Sequence, residues 1–268
     1  MPAGPTRAAA VGPLLRDWRL RRRRSQLDLS IEAGISARHL SFLETGRSRP
    51  SPDMVERLAE QLEVPLRERN ALLLAAGFAP RHPERPLDDA AMGPVRAALE
   101  TILRGHEPYP AVVVDRHWNM VASNASSNVL IDGVAPELLI PPVNVYRVGL
   151  HPRGLAPKIV NLGEWRSHLL HRLARQVALT GDPVLNQLLE ECRQYPDPPD
   201  AQQTEVTLSD WAIALPVRIR SGTSELSFLS TITTFGTAIE ITASELSIES
   251  FFPADAATAD RLRALPVT

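Results

Sequence analysis

Glu164, His168 and His171 stand at i, i+4 and i+7. That spacing brings a carboxylate and two imidazoles onto one helix face, where they could hold a metal ion. The same face, however, lies opposite the apolar stripe Trp165, Leu169, Leu173 and Val177 and also bears Arg172 and Arg175. A solvated face fits that pattern better than a metal centre. Cys192, the single cysteine, sits beside Glu190 and Glu191. Their charge disfavours the thiolate that a nucleophile needs. One cysteine also excludes an internal disulfide and a cysteine-based zinc site. Lys158 is the only lysine among 29 basic residues and the only candidate base for a Ser-Lys self-cleaving dyad. Its setting, Ala156-Pro157-Lys158, reads as neither strand nor helix and would not desolvate an amine. No glycine-rich phosphate loop is present. The expectation is a protein that is not an enzyme, with no catalytic residue, no metal and no cofactor beyond a possible bound fatty acid or similar apolar molecule.

Recognition chemistry is the stronger signal, and it begins with charge. Residues 1–85 carry 15 Arg against 10 Asp and Glu, or +5, whereas the remainder carries 14 basic against 21 acidic residues, or −7. A basic first third joined to an acidic remainder suggests two domains, the first facing a polyanion. Five short helices can be read there, over 11–24, 25–33, 36–45, 52 onward and 65–77. Ser25 with Asp28 three residues on looks like a capping box, Gly34 breaks the second helix, and Ser51-Pro52-Asp53 opens the fourth.

Two short helices joined by a glycine turn are the unit that sets a recognition helix into a major groove. The segment from Ser25 to Pro52, SQLDLSIEAGISARHLSFLETGRSRPSP, resembles the xenobiotic-response-element or Cro/C1-type helix-turn-helix. Ser30 stands where the helices touch, Gly34 at the turn, and Ile35, Leu40 and Leu43 in the core. The resemblance implies that Ser36, Ala37, Arg38, Ser41 and Phe42 face base edges, with Arg38 placed for a bidentate contact to guanine. It implies that Gln26 fixes the second helix on a phosphate, while Arg47, Arg49 and parts of the run Arg21–Arg24 neutralise backbone charge. Phe42 is unusual on such a face, and either a thymine methyl or the second domain would give it a partner.

With 268 residues, 44% apolar composition and a net charge of −2, the chain suits a globular protein of one large or two ordinary domains. No apolar run is long enough to span a bilayer, and the N-terminus does not read as a signal peptide, so a cytoplasmic location away from membranes is expected. The expected division is a helix-turn-helix domain over 1–80, a proline-rich linker over 81–93 and a second domain over 94–268. In that second domain a helix over 92–105 precedes strands over 111–114 and 120–123. A mostly helical middle follows, with helices over 164–179 and 183–195 and a loop at PDPPDAQQ, residues 196–203. Strand candidates over 211–220, 225–234 and 237–246 and a helix from about 254 complete the pattern.

Two phrases carry a second resemblance: LHPRGLAPKIVNLGEWRSHLLH at 150–171 and FGTAIEITASELSIESFFPAD at 235–255. Following that helix-turn-helix, they are similar to the MmyB-like transcription regulators. The stretch 124–134 departs from this likeness in being more polar than expected. The resemblance implies an α+β chain: an all-α five-helix helix-turn-helix domain, then a PAS-like antiparallel sheet with helices. It also implies double-stranded operator DNA as partner and a small apolar, fatty-acid-like effector. Candidates to line its pocket are Val113, Val145, Leu150, Trp165, Leu169, Phe228 and Ile232, with Arg147, Asn161 or Arg166 as polar anchors. One recognition helix gives weak affinity, so a homodimer on two half-sites is expected. The competing readings are a DNA-tethered enzyme and a second domain that only dimerises.

Overall fold

The computed structural model describes residues 11–196, 215–236, 238 and 240–265. They divide into two compact units, the first ending at Pro86 and joined by residues near 241–244, the second holding the rest from Leu87.

The first unit consists of α1 (Val11–Arg21), α2 (Gln26–Glu32), α3 (Ala37–Glu44), α4 (Pro52–Gln61) and α5 (Leu66–Ala75). Each boundary has a local cause. Ser25 accepts from the Asp28 backbone N–H while Asp28 reaches back to the Ser25 N–H, a complete capping box for α2. Ser36 and Ser51 cap α3 and α4 by accepting from the backbone N–H of His39 and Met54, and Pro52 stands where its missing N–H costs nothing. Leu15, Leu29, Leu40, Leu43, Val55, Leu58, Leu62 and Leu72 close a single core beneath Trp18. Helix α1 crosses the end of α3 so closely that a Cβ at Gly12 would lie 2.6 Å from the Leu43 carbonyl oxygen. Only glycine permits that approach.

The stretch expected as a free linker is tied down. Asn70 Oδ1 accepts from the backbone N–H of both Arg81 and His82 (3.0 and 3.1 Å), and Arg81 pairs with Asp53 at 2.7 Å. Ile241 N–H donates to the Pro83 carbonyl at 2.9 Å, and Thr242 Oγ1 donates to that of Arg85 at 2.6 Å.

The second unit runs α6 (Gly93–Gly105), β1 (Ala111–Val114), β2 (Met120–Ser123), α7 (Asn128–Ile131), α8 (Val145–Leu150), α9 (Leu162–Thr180), α10 (Pro183–Gln194), β3 (Val217–Ser221), β4 (Ser224–Thr234), β5 (Ser247–Pro253) and α12 (Ala256–Ala264). The four-residue helix α11 (Ile241–Ser244) interrupts it between β4 and β5 and groups with the first unit. The strands form one antiparallel sheet in the order β2-β1-β5-β4-β3. Strand β1 is buried along its whole length, which explains its unbroken apolar run: both faces of the sheet are covered. On one face Ala111, Val113 and Ile248 pack with Leu99 and Leu103 of α6. On the other, Val112, Val217, Ile219 and Phe228 join the large core beneath α8, α9 and α10.

Two strand expectations need correction. Residues 237–246 do not form the fifth strand: the chain makes the turn α11 and resumes as β5 at Ser247. Pairing explains the shift, because Ser247–Ser250 are the residues that meet Val114–Ala111 in register. Strand β3 begins at Val217, and residues 211–214 lie outside the described residues, as do most of the loop at 196–203, Thr237 and Ile239. In the polar stretch 124–134 the structure has a short 3-10 turn (Ala125–Ser127) and α7. Asn124 and Ser127 are polar there because they hold the sheet: Asn124 Oδ1 and Ser127 Oγ both accept from the Ala111 N–H.

Candidate functional site

Helix α3 is held by a buried ion pair. Arg19 of α1 donates from Nε to Glu44 Oε1 (2.6 Å) and from NH2 to Oε2 (2.9 Å), and its NH1 donates to the Arg24 carbonyl at 2.9 Å. Gln26 Nε2 also donates to Glu44 Oε2, at 2.8 Å. The carboxylate at the end of α3 is thereby fixed to α1 and to the first residue of α2. Neither Arg19 nor this use of Glu44 was legible in the sequence, where Arg19 is one of six arginines in nine residues.

With Leu40, Leu43 and Glu44 buried, α3 turns Ser36, Ala37, Arg38, Ser41 and Phe42 outward. The guanidinium groups of Arg38 and Arg47 lie 5.3 and 5.9 Å from the Phe42 ring centroid, within cation–π reach. Arg47 and Arg49 are exposed in the turn after α3. The arginine run divides. Arg22 donates to the carbonyls of Leu62 (2.8 Å) and Glu63 (3.0 Å), and Arg24 pairs with Glu32 at 3.0 Å, so these two brace the fold. Gln26, expected on a phosphate, has one of its amide hydrogens on Glu44.

In the second domain a cavity of about 110 Å³ lies between the sheet and the helical layer. An engineered apolar cavity of about 150 Å³ binds benzene, and this one is somewhat smaller. Its wall is mostly apolar, with Val112, Met120, Val143, Val145, Ile159, Trp165, Leu169, Ile219 and Phe251 among the lining. The polar part of the wall includes Arg172 of α9, Glu249 of β5 and Tyr146 of α8. Arg172 Nε donates to the Tyr146 hydroxyl at 2.9 Å and NH1 donates to Glu249 Oε1 at 3.2 Å. Its guanidinium stacks on Trp118 at 4.5 Å and on Tyr146 at 5.4 Å. Burial works against the Arg172 charge, but Glu249 and the Tyr146 oxygen outweigh it and leave the pKa above its ordinary value. Burial pushes the Tyr146 hydroxyl up to about 12, so it is neutral at any physiological pH.

Of the residues expected to line the pocket, Val145, Trp165 and Leu169 do so. Val113 points to the opposite face of the sheet, where it packs with α6; the strand alternates, and Val112 takes its place. Leu150 and Phe228 are in the packed core, and Ile232 is 41% exposed on the outer half of β4. None of the three anchors reaches the cavity wall. Arg147 makes two 2.8 Å bonds to Glu191. Asn161 is tied to β3, donating to the Pro216 carbonyl (2.8 Å) and accepting from the Arg218 N–H (3.0 Å). Arg166 donates to the Arg193 carbonyl at 3.1 Å, near the end of α10.

Arg172, read as part of a solvated face, is the largest departure. Its signal was present: seven residues from Trp165 is two helical turns, which puts Arg172 on the buried stripe. Glu249 was likewise visible as a lone carboxylate inside SIESFFP. The remaining candidates for chemistry are engaged elsewhere. His168 stacks on Trp165 at 5.6 Å, and no group of three ligand side chains among the described residues could hold a metal ion. Burial first, and Glu191 second, push the Cys192 thiol up to about 12. No helix among the described residues is long and apolar enough to cross a membrane.

Comparison with known proteins follows the same division. Residues 15–69 match the helix-turn-helix family model. Two crystal structures of the clp gene regulator ClgR from Corynebacterium glutamicum are similar. One is 25% identical, covering 27% of this chain and 91% of that one, with a TM-score of 0.25. The other is 23% identical, covering 39% and 95%, also with a TM-score of 0.25. No curated protein matches the chain. Residues 95–265, well over half of the sequence, match the MmyB-like transcription regulator ligand-binding domain, and the chain belongs to that family of DNA-binding transcription regulators.

Proposed function

We propose that this regulator binds operator DNA as a homodimer through α3 and is controlled by a small apolar, fatty-acid-like effector in the cavity of a PAS-like second domain. The observation that carries the reading is the cavity itself, a mostly apolar space with a cluster of hydrogen-bonding groups, Arg172, Glu249 and Tyr146, on its wall. A domain built only to dimerise has no reason to leave such a space unfilled, because packing it would stabilise the fold by about 24 cal/mol per Å³. The PAS-like reading is supported by the strand order β2-β1-β5-β4-β3 with the helical segment packed over one face. An effector would act by binding two arrangements of the dimer with unequal affinity.

Denaturing extraction of the purified protein followed by mass spectrometry tests the effector. A stoichiometric apolar small molecule is expected. A clean extract, together with no thermal stabilisation by C8 to C14 acyl compounds, would defeat the effector reading.

A further inference from the structure

A second concavity lies on the outer side of α7. It is an open cleft of about 320 Å³, lined in part by Lys158, Arg220 and Arg261, with Asp132 as the one acidic residue and Leu262 at its base. Asn128 of α7 lines both the cleft and the inner cavity, so this one short helix is the wall they share. Strand β3 alternates across the same boundary, with Val217 and Ile219 facing the cavity and Arg220 the cleft.

The two spaces differ in charge. In the cavity the single cation, Arg172, is already neutralised by Glu249, so the wall offers no free charge to an anion. In the cleft Lys158 pairs with Asp132 at 3.0 Å and Arg261 donates to the Ser221 carbonyl at 3.0 Å. The Arg220 side chain is exposed and has no ion-pair or hydrogen-bond partner among the described residues. The cleft thus carries three cations against one carboxylate. The lysine's place is kept open by Gly133, at φ +71°, where a Cβ would lie 2.9 Å from Lys158 Nζ. Lys158 also donates to the Asp132 carbonyl.

We infer that the cleft binds a phosphate-class anion, and that the effector is an amphiphile whose apolar chain occupies the cavity while its phosphate-bearing head lies outside α7. The inference rests on the proposed effector cavity. It assigns to the cleft the charge recognition that the neutralised Arg172 does not supply. A single carboxylate needs one arginine, whereas three cations lining one cleft suit a multiply charged phosphate. Such a head occurs on lysophospholipids and on acyl thioesters of coenzyme A.

Titration of the full-length protein with 1-decanol and decyl phosphate separates the two spaces. Decyl phosphate is expected to bind about tenfold tighter than 1-decanol, an advantage that shrinks with salt. Arg220→Glu should abolish that advantage and leave 1-decanol binding unchanged, and Arg220→Lys should keep most of it. Decanoyl coenzyme A and decanoyl lysophosphatidate then distinguish the sources, since the one that shares the phosphate gain has the head the cleft accepts. If 1-decanol binds and phosphate adds nothing, the cleft inference fails and the cavity stands. If neither amphiphile binds, both fail. An advantage that survives Arg220→Glu would also overturn the assignment.

Discussion

Each domain contains a buried arginine–glutamate pair, and the two differ in what surrounds them. Arg19–Glu44 is closed. The glutamate side chain is 2% exposed, its two oxygens take three hydrogen bonds, and the arginine adds a fourth bond, to the Arg24 carbonyl. Arg172–Glu249 is open. One 3.2 Å bond joins the pair, the arginine side chain is 20% exposed, and its other neighbours are a neutral hydroxyl and two aromatic rings beside an unfilled cavity. A closed pair fixes geometry. An open pair leaves hydrogen-bonding capacity at the cavity wall.

Breaking the closed pair should have the largest effect. Glu44→Ala leaves the Arg19 guanidinium buried without a counter-charge and removes the link from α3 to α1 and to Gln26. Loss of one partner of a buried pair costs about 3–5 kcal/mol. The expected outcome is loss of cooperative folding of the helical domain in a urea titration followed by circular dichroism, with the sheet domain's transition kept. A variant whose helical domain keeps wild-type stability would show that the pair does not set α3.

The closed pair also shows where sequence reading succeeds. Helix starts in the first domain depend on residues within one turn of each other, such as Ser25 with Asp28 or Ser51 with Pro52, so local chemistry announces them. The outward face of α3 follows from helical period alone. Arg19 and Glu44 are 25 residues apart and Arg172 and Glu249 are 77 apart, and no local pattern marks partners at such separations. The cavity was legible only as a set of apolar stripes. Period-two alternation fixes which residues share a face but not which face is inward, so Val113 and Val112 exchanged roles. The anchors Arg147 and Arg166 were plausible by type, but Glu191 and the carbonyls at the end of α10 claim them.

The exposed face that the closed pair positions is the next target. Arg38→Ala should weaken binding to a duplex selected by the wild-type protein by about 1–3 kcal/mol and relax preference at one base pair. Phe42→Ala should reproduce a smaller part of that loss, because it removes the ring within cation–π reach of Arg38 and Arg47. Arg49→Ala should weaken selected and scrambled duplexes alike and reduce the salt dependence by about one counterion. Fluorescence anisotropy at two salt concentrations reads all three. Equal loss on both duplexes for Arg38→Ala would remove it from base reading.

The open pair should respond to conversion rather than deletion. Glu249→Gln keeps the shape and the hydrogen bond but leaves Arg172 without its counter-charge at the cavity wall. A ligand carboxylate then becomes the missing partner. Decanoate should gain about tenfold over 1-decanol in the variant relative to wild type, and its thermal stabilisation should rise accordingly. An unchanged ratio would mean that Arg172 is not presented to the cavity.

The smallest effect comes from a third pair, Arg147–Glu191, which is neither closed nor beside the cavity. Hydrogen bonds from Arg147, and then from the Tyr195 hydroxyl at 2.5 Å, outweigh partial burial and hold the Glu191 carboxyl below its ordinary value of 4.5. A carboxyl whose folded pKa is depressed adds stability above its unfolded pKa, and that stability is lost as pH falls through the folded value. With both side chains more than a third exposed, at 40% and 34%, solvent screening keeps the contribution under about 1 kcal/mol. Glu191→Gln should therefore be slightly less stable than wild type at about pH 6, and the two should converge in acid, as pH falls through the depressed folded value. Denaturant midpoints across that range read the difference. A gap that persists in acid would assign the Glu191 contribution to packing, and Arg147–Glu191 would then belong with the closed pair.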